Sequence, residues 1–95
     1  MLLTLRMARE NNHMTQEEVS KKTGIPLRTI RRTEKDNRYM KLDRFMILLR
    51  LYKVSLNHIY IGKEEDYYAI AQAELLKWLR QRHKRNVKIV SKGEV

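Results

Sequence analysis

Apolar positions recur along most of the chain at spacings of three and four residues, the period of one helix face, and few stretches alternate as strands do. The first such run predicts a helix over Leu2 to Asn11, with Leu2, Leu5, Met7 and Ala8 offered to a core. Asn12 and His13 mark its exit, and Asn tolerates the left-handed conformation used there. Thr15 and Glu18 form a T-x-x-E capping box, so a second helix spans Gln16 to Lys22. Gly24 follows, where a positive φ is inexpensive, and Pro26 suits the first turn of a third helix reaching Lys35. A polar loop at Asp36, Asn37 and Arg38 separates it from a fourth, Leu42 to Tyr52, whose Phe45, Leu48, Leu49 and Tyr52 share a face. Ser55 caps a short fifth helix through Tyr60, closed by Gly62.

Beyond Gly62 the pattern changes. Residues 65–85 read as one long helix, with Tyr68, Ala71, Leu75, Trp78 and Leu79 as an apolar stripe. That stripe is too large to leave wet on a small domain. It either joins two copies of the chain, holds a protein partner, or folds back on helices one and five. The last segment, VKIVSKGEV, fits a short strand or a frayed tail equally well. The expected fold is therefore all-α: five short helices over residues 1–62, then a C-terminal helix and basic tail over residues 63–95.

Charge changes the picture. Lys and Arg number 21 against 11 Asp and Glu, a net charge of +10. Residues 1–62 carry 13 basic and 6 acidic side chains, and residues 77–95 carry 7 against 1. Two basic blocks thus flank an acidic patch, which points to a polyanionic partner, above all nucleic acid. The plainer alternative is a generally basic soluble protein. The basic end of the chain, Lys77, Arg80, Arg82, Lys84, Arg85, Lys88 and Lys92, is expected to follow a DNA backbone without reading its sequence.

Other chemistries find little support. The absence of cysteine excludes disulfides, thiolate zinc sites and thiol catalysis. His13, His58 and His83 are scattered, without an HxxxH or a carboxylate cluster, so no metal is expected. No glycine-rich phosphate loop or nucleophile–base arrangement is visible, so neither an enzyme nor a cofactor is expected. Arg6 interrupts the N-terminal apolar run too early for a signal peptide. No run approaches the roughly 20 residues of a membrane span. A cytoplasmic, nucleoid-associated location is the expectation.

The segments LRMARENNHMTQEEVSKKTGIPLRTIRRTEK and LDRFMILLRLYKVSLNHIYIG give these features an order. In that order residues 2–62 resemble the Cro and repressor-type, lambda-repressor-like helix-turn-helix family of DNA-binding domains. The resemblance implies that helices two and three form the DNA-reading unit. Packing positions then fall at Val19, Ser20, Gly24, Ile25 and Ile30, with a small side chain at Ser20 where the helices touch. It also sets Arg9 opposite Glu34 as an ion pair steadying helix three; the alternative is a solvated pair contributing about 0 to 1 kcal/mol. Leu27, Arg28 and Arg32 are implied to face base edges, an Arg bonding guanine O6 and N7 in the major groove. Gln16 matches a position at a helix N-terminus that meets phosphate. Arg31, which points aside, is expected on phosphate too, with Arg38 and Lys41. The alternative for all these arginines is a solvated face.

Several residues depart from the family pattern. Thr33 and Thr23 stand where apolar side chains are usual, Asp36 and Asn37 where the loop usually contains glycine, Met40 for a frequent proline and His13 for a frequent glycine. The reading that results is a sequence-specific regulator, expected to repress by occupying an inverted-repeat operator on double-stranded DNA as a homodimer. Two alternatives stand beside it. One is the antitoxin of a toxin pair, with residues 63–95 holding the protein partner. The other is a non-specific nucleic-acid-binding phage accessory protein.

Overall fold

The computed structural model describes the backbone of residues 2–93 and the side chains of residues 2–81. Four short helices form the body: α1 (Leu5–Asn11), α2 (Gln16–Thr23), α3 (Leu27–Lys35) and α4 (Leu42–Tyr52). A single 3₁₀ turn, Leu56–His58, follows, and α5 runs from Glu64 to Gly93. The molecule is 65 Å long and 23 Å across because α5 leaves the body.

The body folds around the apolar stripes of its helices. Leu5, Ala8, Val19, Ile25, Ile30, Phe45, Leu48, Leu49, Tyr52 and Ile59 make one buried cluster drawn from every helix of the body. Removal of that apolar surface from water, at about 25 cal/mol per Å², is the main term holding short helices that would be marginal alone.

Three local predictions need correction. The first helix starts at Leu5, because Thr4 is its N-cap and accepts a hydrogen bond from the Met7 amide at 3.1 Å. Leu2 and Leu3 lie outside it. Leu3 pairs in parallel with Ile59, its amide donating to His58 at 2.7 Å and its carbonyl accepting from Tyr60 at 2.8 Å. At the exit of α1, Asn12 has φ −96° and it is His13 that adopts the left-handed conformation, at φ 56°. Asn12 is occupied elsewhere, donating to the carbonyls of Ala8 and Tyr52. The fifth helix of the body is only the 3₁₀ turn after Ser55, whose hydroxyl accepts from the Asn57 amide. Three residues of helical pattern before Ile59 are too few for an α-helical turn to propagate.

The long helix differs most from expectation. It continues to Gly93, so the 87–93 segment is helical rather than a strand. It does not fold back along the body. Among its described side chains Tyr67 is the one buried against the body: it is 7% exposed, donates its hydroxyl to the Leu2 carbonyl at 2.7 Å, and meets Tyr60 edge-on at 5.3 Å. Tyr68, Leu75, Trp78 and Leu79 are all about half exposed, and Ala71 is partly covered.

Candidate nucleic-acid interface

The turn between α2 and α3 is built from its own residues. Thr15 and Glu18 close the capping box at the start of α2, the Glu18 amide donating to Thr15 Oγ1 at 3.1 Å and the Thr15 amide to Glu18 Oε1 at 3.0 Å. These bonds hold the Glu18 carboxyl below its ordinary range. Gly24 ends α2 at φ 75°, where an L side chain costs about 1 kcal/mol or more. Ser20 is small enough for the crossing, and its hydroxyl also donates to the Ile25 carbonyl at 2.6 Å. Thr23, one of the departures from the family pattern, donates to the Val19 carbonyl and accepts from the Ile25 amide. The hydroxyl thus gives the Ile25 amide, which lies past the end of α2, an acceptor that an apolar side chain would not supply. Val19, Ile25 and Ile30 lie buried beneath.

Helix α3 is fixed from behind by a buried carboxylate. Glu34 accepts from Arg9 Nε at 2.6 Å and from Arg9 Nη2 at 3.2 Å. The side chains of Arg9 and Glu34 are 11% and 2% exposed, so this is a desolvated fork rather than a surface pair. The hydrogen bond to Glu34 raises the pKa of Arg9. Arg9 also donates to the Met14 carbonyl at 2.8 Å, which ties α1 to the loop before α2. Gln16 Nε2 donates to Glu34 Oε1 at 2.9 Å. In the free protein, then, the Gln16 amide turns inward to Glu34, with its residue only partly exposed.

The outer face of α3 carries the charge. Arg28, Arg31 and Arg32 are exposed and Leu27 is half-buried. Arg28 and Arg32, four residues apart, share a face. Arg31 turns aside, with Nη2 3.6 Å from Glu17 Oε1 on α2 in an exposed pair. Arg32 lines a groove of about 400 Å³ between α3 and α4, together with Thr29, Tyr39, Lys41 and Arg44. Arg44 joins this basic groove although sequence reasoning passed over it; its place inside the fourth helix gave no cue to which face it served. Arg38 is committed differently. Its Nε and Nη2 lie 2.9 and 2.8 Å from the two carboxylate oxygens of Asp36, and its guanidinium sits 5.1 Å from the Tyr39 ring centre. The Arg38 bond holds the Asp36 carboxyl down to about 2.

A helix-turn-helix family model matches residues 5–59, more than half of the chain. The chain belongs to the Cro and repressor-type helix-turn-helix family. Among curated proteins none matches it. Membership makes this a DNA-binding transcription regulator of the helix-turn-helix kind, with α2 and α3 as its paired helices and α5 lying wholly outside the family match. No helix among the described residues is long and apolar enough to cross a membrane. The expectation for Arg82, Lys84, Arg85, Lys88 and Lys92 falls on side chains outside the described residues.

Proposed function

We propose that this helix-turn-helix protein is a sequence-specific repressor whose α3 enters the major groove of an inverted-repeat operator. Leu27, Arg28 and Arg32 face base edges: each Arg can fork onto guanine O6 and N7, and Leu27 can meet a thymine methyl. Arg31 and Lys41 meet phosphates on either side, Arg44 adds to the Lys41 side, and Gln16 reaches a phosphate by leaving Glu34. Arg38 contributes there only after parting from Asp36. The observation that carries the reading is a pair of exposed arginines on one face of a short helix whose opposite side is locked by Glu34. A rigid reading helix loses little freedom on binding.

The two copies pair through the face of α5 bearing Tyr68, Ala71, Leu75, Trp78 and Leu79. Four large apolar side chains near half exposure on one face support that role. The unit 1–62 then reads DNA, the unit 63–95 assembles the dimer, and the bound dimer hinders polymerase. The same exposed face favours one second reading, an antitoxin whose α5 holds a toxin. A chain that stays monomeric in sedimentation at high micromolar concentration moves the weight to that reading.

Competition binding against operator variants at fixed salt tests the reading face. Arg28→Ala and Arg32→Ala are each expected to cost about 1 to 3 kcal/mol and to relax preference at one base pair per half-site. Arg31→Ala is expected to weaken binding to all sequences alike and to lower the salt slope by about one. Equal, sequence-independent losses for Arg28→Ala and Arg31→Ala would contradict the assignment.

A further inference from the structure

The end of α3 and the start of α5 meet in a joint that DNA contact alone does not require. Asn37, another departure from the family pattern, is buried there. Its Nδ2 donates to the Tyr60 carbonyl at 2.8 Å, and its Oδ1 accepts from the Gly62 amide at 2.8 Å. Its backbone amide reaches the Gly62 carbonyl at 3.4 Å. Asp36, the C-cap of α3, forms an antiparallel bridge with Lys63, the residue before α5. On the other side, Arg6 Nε lies 2.9 Å from Glu64 Oε2 and 3.8 Å from Glu34 Oε1, so it touches the first residue of α5 and the carboxylate that steadies α3.

We infer that Asn37 is a positioning residue that fixes the angle between α3 and α5, so that a dimer joined along α5 accepts one spacing of operator half-sites. The inference rests on the proposed reading of α5 as the pairing helix. Leu75, central in the pairing face, stands 11 residues from Glu64, roughly 16 Å along the helix. Play of about 10° at the root swings that face by roughly 3 Å, close to the rise of about 3.4 Å per base pair. A joint that discriminates single base-pair displacements must be stiffer than that. Buried, two-ended hydrogen bonding by one side chain supplies such stiffness, where the glycine usual in this loop has no side chain to contribute.

The test uses the full chain and half-sites obtained by selection, placed at the preferred spacing and one base pair closer or farther. Wild type is expected to lose about tenfold in affinity for each displaced spacing, because both copies can no longer engage together. Asn37→Ala should lose less than about threefold, while its affinity for a single half-site stays within about twofold and its base preference is unchanged. An undiminished spacing penalty in Asn37→Ala would overturn the inference, as would a loss on the single half-site equal to that on the pair. Tyr67→Phe, which keeps the ring and removes the bond to Leu2, should relax the spacing in the same direction and serves if Asn37→Ala fails to fold. A second readout needs no DNA. The chain has no cysteine, so Lys22→Cys and Gln72→Cys can carry spin labels, diluted into unlabelled protein. The dipolar distance distribution should be narrow in wild type and broader in either variant; equal widths would overturn the inference. If wild type selects no half-site at all, the proposed function fails, and the distance widths still judge the joint.

Discussion

The body and α5 are both helical, yet they are held by different means. In the body each helix sets its apolar stripe against the others, so Val19, Leu5, Ile30 and Leu48 are almost wholly shielded from water. Among the described side chains of α5, Tyr67 in the first turn is the buried one, and Leu75, Leu76, Trp78 and Leu79 are about half exposed. The body is complete as a single chain. This difference in burial is what supports the proposal that the body meets DNA and α5 serves assembly.

A matched pair of leucines breaks or sharpens that contrast with the largest effect. Leu48→Ala should destabilise the fold by about 2 to 5 kcal/mol in chemical denaturation, through lost burial and the cavity left behind. Leu75→Ala should change the stability of the dilute monomer by no more than about 0.5 kcal/mol, while weakening self-association. Comparable destabilisation by both, at concentrations where the chain is monomeric, would mean that α5 packs on the body.

The smaller effect lies at the boundary between the regions. Asp36 ordinarily titrates near 3.8, and the bond from Arg38 holds it down to about 2. A depressed carboxyl stabilises the fold when ionised, so its contribution is present above about 4 and is lost as pH falls through about 2. The carboxyl resonance of Asp36 should therefore titrate near the lower value, and Arg38→Ala should return it toward 3.8. Titration of the wild-type carboxyl near its ordinary value would show that Arg38 is free for other partners.

The helices and the turn could be read from the chain because their determinants are local. Thr15 and Glu18 sit within one helical turn of each other, Gly24 marks its own conformation, and the apolar period needs no knowledge of partners. The reading failed where long-range pairing overrode local pattern. Leu2 and Leu3 look helical, yet Leu3 is drawn into pairing with residues 58–60. Asn37 looks like a solvated loop residue, and only its bonds to Tyr60 and Gly62, more than twenty positions away, reveal a buried clamp. Gln16 and Arg38 have residue types that suit phosphate, and their role there stands as proposed; what the chain alone did not reveal is that Gln16 also bonds Glu34, while Arg38 bonds its near neighbour Asp36. The stripe on α5 was legible as apolar, whereas its exposure depends on the direction in which the joint at Tyr67 and Asn37 aims the helix.

Whether α3 reads bases decides the proposed role of this protein. Selection of bound sequences from a random double-stranded library, with wild type and Arg28→Ala in parallel at one salt concentration, measures this. Wild type should enrich two inverted half-sites at a fixed spacing, and Arg28→Ala should enrich the same sites with preference lost at one base pair in each. A wild-type pool as random as its input, retained with an affinity set only by salt, would contradict the claim.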